Sequence, residues 1–284
     1  MDSISKQVFI EKQYPGVTLG VISNSHGLIQ IDAPPSPEDG RSWRASLMGL
    51  GSGPERILIN LDAHPDRTLG ARAMDCSVLA HEKTAQVFRN RPSTFKAQSD
   101  ETGAVWETLS GLTGIRWVPP EISFTRTMTL HWGDMPILLE SHLGSHPGAI
   151  WVILPEENIV FVGDAVLKNQ PPFLAQANIP IWLESLELLR SNEYSNFTVI
   201  SGRDGAVSAA VIKSQIDFLK DLHKRLEKLS KRKQKPDMTE SLVQPLVSKF
   251  KAPAARQKQF SERLRYGLQH YYTRHYQTSP KDDE

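Results

Sequence analysis

Short apolar runs separated by polar residues, glycine and proline dominate the first two hundred positions of the chain. Residues 57–61 form one such run, and a polar turn joins a second run at residues 149–154 to a third at residues 159–162. Apolar runs of this length, closed by polar residues, are typical of buried strands, and two of them joined by a turn predict a hairpin. The sequence therefore predicts a main region built on sheets.

Helical periodicity replaces this pattern towards the C-terminus. Trp182, Leu186 and Leu189 are spaced i, i+4 and i+7 within residues 180–191, so a helix would carry them on one face. Similar periodicity runs through three later segments, at residues 207–229, 240–250 and 256–276. We expect these helices to pack on the outside of the sheets. The tyrosines of the last segment suit packing on the main region or on a second subunit, and both remain open.

Charge divides the chain into two regions. Residues 1–205 carry 16 Lys and Arg against 23 Asp and Glu, whereas residues 206–284 carry 17 against 9. We expect a main domain over residues 1–220 and a basic helical extension, packed on it, over residues 221–284. The basic run at residues 228–235 suits a solvated helix end, and contact with a phosphate backbone, a membrane surface or the acidic front of the chain stays open.

The composition is that of an ordinary globular protein. Of the 284 residues, 39% are hydrophobic and 23% are charged, and no apolar run approaches the roughly 20 residues needed to cross a bilayer. We therefore expect a cytoplasmic protein without a membrane span. The single cysteine, Cys76, excludes an internal disulfide. The sequence has no glycine-rich phosphate loop, CxxC pair or nucleophile elbow, and nucleic-acid binding is not expected.

Polar residues with catalytic or metal-binding side chains follow the predicted strands. Asp62, His64, Asp66 and Arg67 come directly after the run at residues 57–61. The last side chains of an inner strand stand at the rim of its sheet, where ligands commonly bind, so this stretch is a candidate site. Later strand boundaries carry residues of the same kind, namely His146, Asp164 and Arg203.

The first stretch resembles the signature of the metallo-β-lactamase fold superfamily. In that family a loop after an inner strand reads His-x-His-x-Asp-His and supplies ligands to two metal ions. In this chain the four positions fall on Asp62, His64, Asp66 and Arg67, so two of the four family residues are kept.

Three further motifs extend the resemblance, in the family's order, over roughly residues 7–205. The loop with His146 is similar to the family's Gly-His-x-x-Gly loop, which places His146 at a metal-ligand position. Asp164 ends a strand similar to the one whose Gly-Asp carries the bridging carboxylate. Arg203 lies where the family has the histidine of Gly-His-Gly.

The resemblance implies a fold and a place for the site. The implied fold is α+β, a four-layer αββα sandwich with additional C-terminal helices. The site residues are then expected to meet at one edge of the two sheets; they are Asp62, His64, Asp66, His146, Asp164 and Arg203.

The implied metal centre is smaller than that of the family. Asp62, His64 and His146 would hold one divalent ion, with zinc as the expected metal, and Asp164 would stand at the bridging position. An ion held in this way lowers the pKa of a bound water to about 7 and polarises the bond to be cleaved. We expect at most one tightly bound ion per chain, because the second site is incomplete.

Two arginines make that second site incomplete. Arg67 and Arg203 replace histidines, and a protonated guanidinium has no lone pair to offer a metal. Both lie beside carboxylates, Asp66 and Asp164, which they could pair with in place of the missing ion. Whether the arginines also bind an anionic group of the substrate, or only tie the rim together, stays open.

Two functions remain open at this point. In the first, the protein is a hydrolase with one metal ion that cleaves an ester, thioester or lactam-like bond of a small molecule. Asp66 or Asp164 would orient the attacking water, and Arg67 and Arg203 would bind the oxyanion or an acidic substrate group. In the second, the protein is a catalytically silent relative that binds an anionic ligand or a partner.

Overall fold

A computed structural model describes residues 1–50, 53–96, 101–133 and 135–277. In this part of the chain, thirteen strands form two sheets. The first sheet contains, in the order of its hydrogen-bonded neighbours, β1 (Asp2–Ser3), β2 (Val8–Glu11), β3 (Leu19–Asn24), β4 (Gly27–Ile31), β5 (Glu55–Ile59), β6 (Ser77–His81) and β7 (Ile122–Phe124). The second contains, in the same sense, β13 (Gly205–Val207), β12 (Thr198–Ser201), β11 (Ile159–Gly163), β10 (Ile150–Leu154), β9 (Pro136–Ser141) and β8 (Thr127–His131).

Helices lie on the outer faces of the sheets and in the loops that connect the strands. In chain order they are α1 (Pro37–Ser46), α2 (Pro65–Thr68), α3 (Ala71–Met74), α4 (Glu82–Asn90), α5 (Ile179–Leu188), α6 (Ala209–Lys231), α7 (Glu240–Val247) and α8 (Ala254–Tyr272). The four helices predicted from periodicity correspond to α5, α6, α7 and α8.

The hydrophobic core lies between the two sheets. Ile31 and Ile59 from the first sheet pack in one cluster with Val152 and Phe161 from the second. All five residues of β10 are buried, as expected for a strand covered on both faces. The predicted hairpin is confirmed, since β10 and β11 are antiparallel neighbours with Val152 opposite Phe161.

Helices cover the outer face of each sheet. Trp43 of α1 packs with Leu58 of β5 and Val78 of β6 on the outside of the first sheet. On the outside of the second sheet, Trp182 of α5 packs in one cluster with Trp151 of β10 and with side chains of α6, α7 and α8. The order of layers is helix, sheet, sheet, helix, which confirms the predicted αββα fold class.

The C-terminal helices share the outer layer of the second sheet. Tyr271 and Tyr272 of α8 are buried there, so these two tyrosines pack against other elements of the same chain. The predicted boundary at residue 220 falls inside α6, and the division at that point stays a prediction. Residues 278–284 of the predicted extension lie outside the described residues. Among the described helices, none is long and apolar enough to cross a membrane.

Parallel strands bring the site residues of both sheets together. The neighbours β4, β5 and β6 are parallel in the first sheet, and β11 and β12 are parallel in the second. Loops after the carboxyl ends of such strands form the usual binding edge of a sheet. Asp62 and His64 follow β5, Asp164 follows β11, and Arg203 follows β12.

Candidate functional site

Side-chain caps fold the loop after β5. Asp62 Oδ1 accepts a hydrogen bond from the backbone N–H of His64 at 2.8 Å, and His64 Nδ1 accepts one from the backbone N–H of Asp66 at 3.3 Å. His64 is thus the N-cap of α2, and Pro65 takes the first helical position, where a missing N–H is not needed. These local bonds fix the orientation of the His64 ring.

Arg203 has a hydrogen-bond partner for each of its five N–H groups. Nε and Nη2 donate to the two oxygens of Asp164, each at 2.9 Å, and Nη1 donates to Asp66 at 2.6 Å and to the Gly16 carbonyl at 2.9 Å. The second Nη2 hydrogen faces His64 Nδ1 at 3.2 Å. The side chain is 2% exposed, so this guanidinium has no N–H left for a substrate.

Arg67 is fully buried between three carboxylates. Its Nη1 donates to Asp32 at 3.2 Å, its Nη2 donates to Asp164, and its Nε lies 3.3 Å from Asp62 Oδ1. Gly202 makes room for the guanidinium, because a Cβ atom at that position would lie 2.8 Å from Nη1.

The two arginines therefore bind carboxylates rather than solvent-exposed groups. Substrate binding by Arg67 and Arg203 was one of the two alternatives that the sequence leaves open. In the structure, burial and hydrogen bonding commit both guanidinium groups to aspartates. Charge-assisted pairs of this kind satisfy buried carboxylates, so the geometry supports the interpretation that the arginines hold the rim together.

The ion pairs determine which carboxyl groups are charged. Burial is the largest single influence and would raise the pKa of Asp66 and of Asp164. The charge of Arg203, the charges of neighbouring groups and the hydrogen bonds that Arg203 donates together outweigh burial, and both pKa values lie below the usual range. At Asp32 the effect of burial is larger than the opposing effect of the Arg67 charge. The pKa of Asp32 is therefore raised to about 7.

Both histidines of the site are neutral and carry their proton on Nε2. Burial and the charge of Arg203 lower the pKa of His64 to about 3, and burial lowers the pKa of His146. A guanidinium only donates, so His64 Nδ1 accepts, and His146 Nδ1 accepts the backbone N–H of Gly148 at 3.1 Å. In a neutral imidazole the other nitrogen then carries the hydrogen. His64 and His146 are therefore donors through Nε2.

A cavity of about 390 Å³ lies beside the ion-pair network, and His64 and His146 both line it. Its aromatic wall includes Phe95, Trp106 and Trp117. The Phe95 ring meets the two indoles edge-on, with ring centroids 5.0 Å and 5.5 Å away. Arg203 thus contacts Asp66, Asp164 and His64 directly, Arg67 contacts Asp164, and His64 and His146 line the same cavity.

The segment at residues 93–120, which follows α4 and precedes β7, contributes one side of this cavity. Thr94, Trp106 and Trp117 line the cavity from this segment. The backbone N–H of Trp106 donates to Asp66 at 2.7 Å, which connects the segment to the ion-pair network. Residues 97–100 of the segment lie outside the described residues.

Arg263 of α8 also reaches the cavity and was not predicted from the sequence. It is 1% exposed, and its guanidinium lies 3.9 Å from the centroid of the Phe173 ring. It donates to the Gly103 carbonyl at 3.0 Å and 2.9 Å and to the Pro171 carbonyl at 3.1 Å. Burial lowers the pKa of Arg263 to about 9. Its position at i+3 from Phe260, within an apolar helical stripe, was the available signal.

Comparisons with known proteins identify the fold. No family model and no curated protein sequence matches this chain. A metallo-β-lactamase structure from Pontibacter korlensis is similar with a TM-score of 0.62 and 16% identity, over 77% of this chain and 97% of that one. A metallo-β-lactamase structure from Hirschia baltica is similar with a TM-score of 0.59 and 15% identity, over 76% and 95%. The chain has the metallo-β-lactamase fold.

A third structure with this fold matches more of the chain. The inverting sec-alkylsulfatase Pisa1 from Pseudomonas sp. is similar with a TM-score of 0.64 and 12% identity, over 96% of this chain and 49% of that one. This chain thus spans about half the length of the alkylsulfatase. At such identities the likeness shows the fold alone, so the function has to be argued from the site.

The histidines of this metallo-β-lactamase-fold chain do not fit a metal ion. A ligand nitrogen needs a free lone pair, but His64 and His146 present Nε2–H groups. If the His64 proton moved to Nδ1, it would point at two other hydrogen-bond donors, the N–H groups of Arg203 and Asp66 that now donate to Nδ1.

The carboxylates fit no better. Asp164 and Asp66 are bound by guanidinium groups, and Asp62 Oδ1 accepts a backbone N–H beside Arg67 Nε. Within residues 1–50, 53–96, 101–133 and 135–277, no three His, Cys, Asp or Glu side chains converge as a metal-binding group. The metal ligands expected from the motifs, Asp62, His64, His146 and Asp164, are thus not arranged around a common ion.

Proposed function

We propose that this protein is a metal-free relative within the metallo-β-lactamase fold, and that it binds a small molecule in the cavity beside the ion-pair network. The hydrogen bond from Arg203 to His64 Nδ1 carries this proposal. The same guanidinium holds Asp66 and Asp164, so one side chain engages three residues that the motif assigns to metal ligation.

The arginines supply the positive charge that a metal ion would otherwise provide to the buried carboxylates at this edge of the fold. Buried carboxylates need a cation and hydrogen bonds nearby, and removing one partner of a buried pair is strongly destabilising. Asp164 receives both from Arg67 and Arg203, and Asp66 receives both from Arg203 and the backbone. The fold is therefore expected to be stable without any metal.

The cavity has the features of a small-molecule site. Ligand sites are typically concave, of about 300–1,000 Å³, and lined mainly by apolar and aromatic groups with a few polar ones. This cavity of about 390 Å³ has aromatic side chains in its wall together with polar and charged side chains. These features support binding and do not require turnover.

A second candidate is a hydrolase with one divalent ion, with zinc as the expected metal, on Asp62, His64 and His146. Its substrate would carry an ester, thioester or lactam-like bond. The observation in its favour is the fold, shared with structures described as metallo-β-lactamases and an alkylsulfatase. It requires Arg203 to leave His64 Nδ1. If His64 binds an ion through Nε2, the ring proton moves to Nδ1, and Nδ1 can then no longer accept the guanidinium hydrogen.

Zinc titration and turnover distinguish the two candidates. The full chain, treated with chelator and desalted, is titrated with zinc in a calorimeter and then assayed with a chromogenic lactam, a p-nitrophenyl ester and a thioester. The proposal expects no stoichiometric zinc uptake and no zinc-dependent rate. Stoichiometric uptake together with a zinc-dependent rate, both lost in His64→Ala, would establish the hydrolase instead.

A further inference from the structure

The polar lining of the cavity carries positive charge without a matching acid. Arg91, Lys96 and Arg263 line it, and none of the lining residues in the described part of the chain is Asp or Glu. Arg91 donates to the Ala63 carbonyl, and Arg263 donates to carbonyl and amide oxygens. Among the described residues, no carboxylate pairs with either guanidinium. Arg263 is buried and Arg91 is half-buried. A lining with cationic side chains and no directly paired carboxylate among the described residues favours an anionic ligand.

Ser145 adds a donor that is still unsatisfied. The residue is among those that line the cavity and is 6% exposed, and its buried hydroxyl has no hydrogen-bond partner among the described residues. A buried hydroxyl without a partner destabilises a protein. A ligand oxygen that accepts its hydrogen would remove this free-energy penalty. His146, the next residue, lines the same cavity and carries a hydrogen on Nε2.

Arg91 has N–H groups without a hydrogen-bond acceptor among the described residues. One of its five N–H groups donates to the Ala63 carbonyl at 3.2 Å, and the guanidinium lies 4.8 Å from the centroid of the Trp117 ring. Stacking on an indole orients a guanidinium while leaving its in-plane N–H groups free to donate. Arg203, by contrast, has no N–H left, and Arg263 contributes mainly its charge.

We infer that the cavity binds an aromatic organic anion, with its oxyanion head accepting hydrogen bonds from Arg91, Ser145 and His146 and its planar ring packed against Trp106 and Trp117. The inference rests on the proposed function, because without an ion at the site the imidazole presents a donor to the ligand. Acceptor-only heads such as carboxylate and sulfonate match the donors of Arg91, Ser145 and His146.

Matched ligands test the assignment on the full chain, after treatment with chelator. Calorimetry is carried out with 2-naphthoate, with its neutral isostere 2-naphthamide, and with acetate, which has the head without the ring. We expect 2-naphthoate to bind, 2-naphthamide to bind about tenfold more weakly or worse, and acetate to show no measurable binding, because head and ring both contribute.

Matched variants locate the head of the ligand. Arg91→Gln and Ser145→Ala should each weaken 2-naphthoate by about fivefold or more while leaving 2-naphthamide little changed. The control Arg41→Gln alters an exposed arginine on α1 and should change neither. Ser145→Ala removes a hydroxyl that has no partner in the part of the chain that the structure describes. This variant is therefore expected to fold and to be at least as stable as the unmodified protein without ligand.

The outcomes distinguish two claims: that the cavity binds an aromatic small molecule, and that this molecule is an anion. Equal binding of 2-naphthamide and 2-naphthoate, or an unchanged 2-naphthoate affinity in both Arg91→Gln and Ser145→Ala, overturns the anionic class while small-molecule binding stands. Absence of binding by both aromatic compounds overturns the ligand class as a whole. Failure of the proposed function is seen separately, as stoichiometric zinc uptake with zinc-dependent turnover.

Discussion

Arg203 Nη2 lies 3.2 Å from His64 Nδ1, and Nη1 of the same guanidinium lies 2.6 Å from Asp66 Oδ2. The guanidinium of Arg203 therefore donates hydrogen bonds to the His64 ring nitrogen and to the Asp66 carboxylate, two groups that the motif assigns to metal binding. Arg203 cannot leave without exposing Asp66 and Asp164 as buried carboxylates with fewer partners. Arginine and ion are alternatives at this edge of the fold, and the chain carries the arginine.

Truncation of Arg203 should destabilise the fold strongly. In Arg203→Ala, Asp66 loses its guanidinium partner and remains buried, so the free energy of unfolding should fall by about 3–5 kcal/mol. Urea unfolding followed by tryptophan fluorescence measures this difference. In the double variant Arg203→Ala with Asp66→Asn the loss should be smaller, because the unpaired charge is removed.

The control for this series is Arg41→Ala, which truncates an exposed arginine of α1. It should change the free energy of unfolding by less than about 0.5 kcal/mol. An Arg203→Ala protein as stable as the parent would show that the arginine does not stabilise these carboxylates.

Gly202 should tolerate no side chain, because Arg67 packs against it. A Cβ atom there would lie 2.8 Å and 3.0 Å from the two Nη atoms of Arg67, so Gly202→Ala should lower stability by about 1–3 kcal/mol. Gly49→Ala is the matched control, since a Cβ there meets no described residue within 4 Å. Thermal unfolding compares the two variants, and equal melting temperatures would contradict the packing described for Arg67.

Much of the fold follows from the local pattern of the sequence. The apolar runs before Asp62 and Asp164 are buried strands, and the spacing of Trp182 and Leu186 does form a helix against the second sheet. The meeting of the aspartates and arginines at one edge followed from the motifs, because each motif ends a strand that runs towards that edge.

The cavity, in contrast, depends on contacts between distant parts of the chain. Arg263 reaches it from α8, and Arg91 reaches it from the end of α4, and neither belongs to a motif. The saturation of Arg203 was also not predictable, because the Gly16 carbonyl, which takes one of its hydrogens, lies 187 positions away in the sequence. The sequence shows which residue types are present and how they are spaced, whereas their hydrogen-bond partners depend on tertiary packing.

Asp32 gives a pH dependence of known sign. Burial raises its pKa from 3.8 to about 7, so folded Asp32 holds its proton more tightly than unfolded Asp32 does. Its stabilising contribution is complete below the unfolded pKa and is lost as pH rises through the folded pKa. Relative to the unmodified protein, Asp32→Asn should therefore gain stability between about pH 4 and pH 8. A stability difference that does not change over this range would contradict the raised pKa.

Exchange of both arginines for histidine should create a metal site. In Arg67→His with Arg203→His, Asp66 and Asp164 lose their guanidinium partners and two imidazoles become available, so zinc should bind and raise the melting temperature. The matched control is Arg67→Gln with Arg203→Gln, which frees the same carboxylates without adding imidazoles. If the histidine pair takes up no more zinc than the glutamine pair, the arginines do not stand in for an ion.

The metal content of the unmodified protein tests the central claim most directly. The full chain is purified without chelator, incubated with equimolar zinc, desalted and analysed by inductively coupled plasma mass spectrometry. Because Arg203 holds His64 Nδ1, Asp66 and Asp164, the retained zinc is predicted to be far below one equivalent per chain. Retention of one or more equivalents, lost in His64→Ala, would contradict the claim that the arginine network replaces the metal.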